Sequence, residues 1–300
     1  MNEKRRKRIV ITGASGFVGS RFYHFLNRDG GYHFESVNKY EVSAPTHQEM
    51  DLTDGKSVKN YIERTEPDIV LHCAAISNTW TCQQNPILSR TVNVMGTAAI
   101  GMACKKLGAK MIFMSSDQVY NGEIGMEPHK EDEVLFPSNI YGKHKLEAEQ
   151  RLMDMGTDAI CLRLTWMFEH PNAGGVINQN IIGNVWNALE RNEPILAPIH
   201  EYRGITYIHP VIENIEKVLT LPHGIYNYGS ECSTNTYETM GFVFDAMGKK
   251  LDKERLLFPD RERYAEQPRN LSMNIEKIKQ WGITFPNTLQ GILQCIQWNG

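Results

Sequence analysis

The stretch KRIVITGASGFVGSRFYHFL, Lys7 to Leu26, limits the fold of this chain more than any other. A strand-like apolar run, RIVIT, leads into Gly13, Gly16 and Gly19, spaced three apart. A helical pattern follows, with Val18, Phe22, Phe25 and Leu26 on its apolar side. Glycines allow a backbone to approach a pyrophosphate, and a helix N-terminus offers free N–H groups at the positive end of its dipole. A glycine triplet alone is weak, because turns need glycine anyway. Placed between a strand and a helix at the start of a βαβ unit, it points to a dinucleotide site. Gly13, Ser15, Gly16, Phe17, Val18 and Gly19 are its candidate residues.

The first half continues the alternation. HFESVN reads as a second strand and a further short element leads to MDLTD. SVKNYIERTEP is helical, DIVLHCAA a buried strand, and NPILSRTVNVMGTAAIGMACKKLG one long helix with Pro86 at its start. KMIFMSS, SNIYGKHKLEAEQRLMDMG and AICLRLTW complete the series as strand, helix and strand. Repeated βα units predict an α/β fold: a doubly wound parallel sheet of Rossmann type. Beyond Trp166 the regularity fades, so residues 1–166 are expected to bind the dinucleotide. Residues 167–300 are expected to form a smaller α+β substrate domain, with some segments returning to the first.

Within SNIYGKHKLEAEQ, Tyr141 precedes Lys145 by four residues, which on a helix places both on one face. A tyrosine titrates near ~10, and a neighbouring ammonium favours its phenolate and makes it usable in acid/base chemistry. The competing reading is a tyrosine on a solvated charged helix, and Tyr-x-x-x-Lys by itself does not decide between them.

The motif order decides it. The G-x-x-G-x-x-G spacing and the elements after it resemble the extended short-chain dehydrogenase/reductases over nearly the whole chain. That resemblance implies that Asp51 reaches the adenine and Leu52 lines its ring. Cys73, Ala74 and Ala75 would stand beside the cofactor, where the family has Asn-Ala-Ala. It further implies Asn93 as the structural active-site asparagine, Ser116 as the substrate-orienting hydroxyl, Tyr141 as acid/base, and Lys145 as the tyrosine's partner and ribose ligand. Asn38 and Lys39 stand near the ribose position, where NAD-specific members carry an acid. A lysine there favours NADP(H) over NAD(H), although Glu41 is close by.

Within that branch the chain resembles dTDP-4-dehydrorhamnose reductases. Three segments carry the likeness: CLRLTWMF, with Trp166 at the sugar; GIYNYGSECSTNTYETMGFVFDAMG; and QPRNLSMNIEKIKQWG. HEYRGITYIHP departs toward epimerases, with Arg203 as a diphosphate clamp or a structural ion pair. Gln118 replaces a tyrosine. Ser116, Asp117, Gln118, Trp166 and Arg203 are the candidate substrate residues. The expected reaction is NADPH-dependent reduction of a nucleotide-linked 4-keto-6-deoxy sugar. The rivals are an NAD-dependent epimerase or dehydratase, and a binding protein resembling the methionine adenosyltransferase regulatory subunit.

Composition narrows the partners. A formal charge of −3 argues against nucleic acid and acidic membranes, and the KRRKR cluster reads as a solvated arm. No uninterrupted apolar run approaches a membrane span. Six scattered cysteines without C-x-x-C spacing suggest a reduced, cytoplasmic protein, with Cys73, Cys104 and Cys161 as core thiols. The histidines show no metal-ligand spacing, and His72 reads as structural. Family resemblance allows a homodimer.

Overall fold

The computed structural model describes residues 5–27 and 39–297. Its first elements alternate: β1 (Lys7–Thr12), α1 (Phe17–Leu26), β2 (Tyr40–Ser43), α2 (Gly55–Thr65) and β3 (Ile69–His72). Next come α3 (Thr79–Gln84), α4 (Pro86–Arg90), a π-helical segment (Thr91–Gly96), α5 (Thr97–Leu107) and β4 (Lys110–Ser116). A 3-10 turn (Asp117–Tyr120), α6 (Ile140–Asp154) and β5 (Ala159–Leu164) follow. The remainder comprises β6 (Trp166–Phe168), α7 (Ile181–Arg191), β7 (Ile195–Pro198), β8 (Glu201–Arg203), β9 (Ile205–Tyr207), α8 (Ile208–Glu213), α9 (Ile215–Val218) and β10 (Gly224–Tyr228). It ends with α10 (Thr236–Ala246), α11 (Lys250–Leu256), β11 (Leu257–Asp260), β12 (Arg269–Leu271), α12 (Glu276–Lys279) and α13 (Thr288–Ile296).

Two compact units share this chain. The first comprises the described residues up to Ser115, Asn139–Leu162 and Leu221–Ile225; the second comprises Ser116–Ser138, Arg163–Thr220 and the described residues from Tyr226. This division is not a single cut near Trp166. The chain enters the second unit at Ser116, returns at Asn139 and crosses again within β5.

The first unit is built on a six-stranded sheet in the order β10-β5-β4-β3-β1-β2. β1 pairs in parallel with β2 on one side and β3 on the other, so the winding direction reverses between β1 and β3. Such a switch point opens a crevice at the carboxyl ends of the strands. Alternate residues of the strands, Val10, Val70, Met111, Phe113, Ala159 and Cys161, face one core. Val58 and Ile62 of α2, Ile100 and Cys104 of α5, and Leu152 of α6 cover them. Each fully buried aliphatic side chain of this kind contributes about 1.5–3 kcal/mol.

Two expectations change. The long helix from Pro86 is not uniform, because its middle turn is π-helical. Gly96 in that turn packs closely on its neighbour: a Cβ there would lie 2.8 Å from the carbonyl oxygen of Leu52, in the turn that leads into α2. The same helix, Pro86–Leu107, is long and apolar enough by length and composition to cross a membrane, although polar side chains such as Arg90 and Asn93 interrupt it. Over half of its most apolar stretch is buried, as befits a helix in the layer against the sheet. Finally, Cys73 is only half-buried, whereas Cys82, Cys104, Cys161 and Cys295 are buried; all six cysteines are free thiols.

The HFESVN reading falls outside the described residues, and the strand seen beside β1 is Tyr40–Ser43. In the basic cluster, Arg5 pairs with Asp68 at 2.8 Å and Arg8 with Glu66 at 3.3 Å, so these two side chains fasten the start of β1.

The second unit joins short strands in three parallel pairs, β6 with β9, β7 with β11 and β8 with β12. α10 and α13 each begin with a capping box, Asn235 with Glu238 and Asn287 with Gln290.

Helix α6 starts at Asn139, whose side chain accepts from the Gly142 N–H at 2.7 Å. Asn139→Ala should lower stability by about 1 kcal/mol, read from the midpoint of urea unfolding.

Candidate active site

At the switch point, β1 ends in a turn closed by the Gly16 N–H donating to the Gly13 carbonyl at 2.9 Å. Gly13 has φ +68°, and a Cβ there would lie 2.7 Å from the backbone of Ala74. A Cβ on Gly19 would run into the Gly13 carbonyl itself. Both positions therefore require glycine, one for close strand exits and the other for packing helix on turn. Gly16 is the N-cap of α1, a ten-residue helix with no side-chain cap and no acid in its first turn. Its free N–H groups and positive end suit a pyrophosphate. Gly13, Ser15, Gly16, Phe17, Val18 and Gly19 thus lie on one turn and helix start, with Cys73, Ala74 and Ala75 at the adjoining exit of β3.

A hydrogen-bond chain holds this region. Thr12 Oγ1 lies 2.7 Å from His72 Nδ1 and accepts from the Ala74 N–H at 3.2 Å. His72 Nε2 lies 2.9 Å from Thr97 Oγ1, and that hydroxyl donates to the Asn93 carbonyl at 2.8 Å. With its hydrogen so used, Thr97 must accept from Nε2–H, leaving Nδ1 to accept from Thr12. Burial, aided by the charge of Lys145, pushes the His72 pKa down to about 3, so the imidazole is neutral. Asn93, buried in the π-helical turn, binds both the N–H and the carbonyl of Ile76, at 2.8 and 2.9 Å.

Asp51 faces solvent and accepts from Thr53 N–H and Oγ1 at 2.8 and 2.7 Å, which hold its pKa below the usual carboxylate value. Leu52 is buried. Lys39 lies with its ammonium 5.4 Å from the centre of the Tyr40 ring. Asn38 is outside the described residues.

Tyr141 and Lys145 both lie on α6 and are buried. The Lys145 ammonium is 5.7 Å from the Tyr141 ring centre and 4.5 Å from that of Phe113. It donates to the Met114 carbonyl at 2.7 Å. Burial pulls its pKa down to about 8, against the opposing influence of Cys73 and Glu149. An ammonium so placed favours the phenolate form of a nearby tyrosine.

In the second unit, Ser116 caps the 3-10 turn. Its hydroxyl accepts from the Gln118 N–H and donates to Asp117 Oδ1, both at 3.2 Å. Asp117 is buried and its Oδ2 binds Arg203 Nη2 at 2.7 Å, while the guanidinium lies 5.3 Å from the Trp166 ring centre. Gln118 accepts from Arg269 Nη2 at 3.0 Å, and Arg269 Nη1 pairs with Glu201 at 2.6 Å. Burial alone would raise the Glu201 pKa, but Arg203 and Arg269 bring it below the ordinary value. Arg203 is therefore engaged in an ion pair, although its buried Nε has no hydrogen-bond partner. The Trp166 indole N–H donates to the Gln179 carbonyl at 3.2 Å.

Sequence reasoning overlooked Glu201 as the partner of Arg269, and Glu149, although Glu149 continues the four-residue interval of Tyr141 and Lys145. Among the described residues, no group of three His, Cys, Asp or Glu side chains could hold a metal.

Comparisons with known proteins agree with this architecture. The family described as RmlD substrate binding domain matches residues 7–298. A dTDP-4-dehydrorhamnose reductase from Aggregatibacter actinomycetemcomitans is 26% identical, covering 97% of this chain and 98% of that protein. The methionine adenosyltransferase 2 subunit beta of Xenopus tropicalis is 24% identical, covering 92% and 83%. Among solved structures, the dTDP-4-dehydrorhamnose reductase of Bacillus anthracis in complex with NADP superposes with a TM-score of 0.81, at 21% identity, over 97% of this chain and 98% of that one.

Replacing one partner of a buried ion pair strands the other. Arg203→Met should therefore destabilise the protein by about 3 kcal/mol, measured by chemical denaturation. A stability equal to wild type would show that Arg203 is kept for a ligand alone.

Proposed function

The chain belongs to the RmlD substrate binding domain family, and from that premise we propose that it reduces the keto group of a nucleotide-linked 4-keto-6-deoxy sugar at the expense of NADPH. The supporting observation is the Tyr141–Lys145 pair: two buried side chains on one face of α6, the ammonium beside the phenol ring. The Gly13–Gly19 turn and the uncapped α1 N-terminus fit a dinucleotide pyrophosphate. NADPH, when bound, supplies the hydride.

The protein's own residues supply the proton and the orientation. Tyr141 gives its phenolic proton to the keto oxygen as that carbon accepts hydride, and Lys145 stabilises the phenolate left behind. Ser116 is assigned to orient the substrate oxygen. Trp166 and Arg203 are assigned to the nucleotide sugar, with Asp117 and Gln118 holding Arg203 and Ser116 in place. Lys39 is assigned to the 2′-phosphate, which favours NADP(H) over NAD(H). Residues 1–166 are assigned mainly to the cofactor and later residues mainly to the substrate.

In a second reading, which rests on the likeness to methionine adenosyltransferase 2 subunit beta, this chain binds NADPH stoichiometrically without turnover. NADPH absorbance after mixing with dTDP-4-dehydrorhamnose separates the two. Loss of absorbance supports the reductase, whereas bound NADPH without consumption supports the second reading.

Tyr141→Phe should lower kcat by about 10²–10⁴-fold while NADPH still binds, as followed by its fluorescence. Near-normal turnover in that variant would end the assignment. Lys39→Glu should weaken NADPH binding by about tenfold or more and spare NADH, as shown by parallel titrations with both cofactors.

A further inference from the structure

Helix α6 carries a third side chain at the interval that joins Tyr141 to Lys145. Glu149 lies four residues after Lys145 and is fully buried. Its Oε1 accepts from Ser115 Oγ at 2.5 Å. One turn earlier, Lys145 Nζ donates to the carbonyl of Met114. The last two first-unit residues of β4 are thus each gripped by one of two side chains, a cation and a carboxylate, that lie a helical turn apart.

That arrangement sets two effects against each other. Enclosure disfavours the ammonium, and a carboxylate one turn away favours it. The other groups acting on Lys145 supply little opposing charge. Tyr141 shares its helix; Cys73 follows β3, Cys82 lies on α3 and Cys161 on β5. Burial raises the Cys73 thiol to about 12 and raises Cys82 as well, while His72 is kept neutral. Among these groups Glu149 brings the one carboxyl group.

We propose that Glu149, anchored by Ser115, is a positioning residue that acts as the buried counter-charge of Lys145 and sets the alkaline limit of its working range. This rests on the assignment of Lys145 to cofactor and tyrosine. The sign follows from the charges: without the carboxylate, the ammonium gives up its proton at lower pH, and functions that need the cation fail earlier as pH rises.

Glu149→Gln keeps the shape and an acceptor for Ser115 but removes the charge. The alkaline limbs of NADPH affinity, followed by fluorescence, and of kcat/KM should both move down by about one pH unit. Ser115→Ala, which leaves the carboxylate without its hydroxyl partner, should move them in the same direction by a smaller step. Glu149→Asp keeps the charge, so its limb should stay within a few tenths of a pH unit of wild type while kcat falls. Ser115→Ala carries the test if Glu149→Gln does not fold. Lower melting temperatures with an unmoved alkaline limb would overturn the proposal and leave Glu149 as packing. Because NADPH binding is read apart from turnover, a wild-type protein inert toward keto sugars would sink the substrate reading alone.

Discussion

Two strand exits meet at Gly13 and Ala74, closer than any side chain allows. A Cβ at Gly13 would lie 2.7 Å from the Ala74 backbone, and the residue takes φ +68°. This contact keeps the ends of β1 and β3 together at the switch point of the sheet. The α1 N-terminus then points its free amides from a fixed place, and the Cys73–Ala75 turn has one course. The Thr12–His72–Thr97 hydrogen bonds extend the constraint to the π-helical turn, where Asn93 holds the backbone of Ile76. Neutral His72 suits this role, since a protonated ring would have two donors and could not accept from Thr12.

Buried charge is handled differently in the two units. In the first, Lys145 is enclosed and donates to the Met114 carbonyl, while Glu149 of the same helix accepts from the Ser115 hydroxyl. In the second, Arg203–Asp117 and Arg269–Glu201 form paired charges joined through Gln118. Such pairs add little net stability over apolar packing, but removal of one partner is costly. They specify geometry: Asp117 fixes both the Ser116 hydroxyl and the Arg203 guanidinium, while Trp166 lies under the latter.

Much of the first unit was legible because its signals are local. The glycine spacing, the βα alternation and the interval from Tyr141 to Lys145 each depend on residues within a few turns of one another. Even there, the π-helical turn escaped periodicity, and the close packing of Gly96 on the Leu52 carbonyl is not written in its own helix. The second unit was less legible. Arg203 reaches Asp117 across 86 residues, and Arg269 reaches Gln118 across 151. No local pattern pairs side chains at such separations, so an arginine read as a diphosphate clamp or an ion pair stayed undecided until the chain was folded.

By itself, then, the sequence determined the doubly wound first unit, the glycine turn at the end of β1 and the shared face of Tyr141 and Lys145, because backbone periods of two and 3.6 residues impose those relations directly. Tertiary structure alone decided which partner each buried carboxylate takes. Pairing Glu149 with Ser115, Asp117 with Arg203 and Glu201 with Arg269 depends on which segments pack together, and burial, which turns such a pair from a minor surface contact into a constraint, exists only in the folded chain.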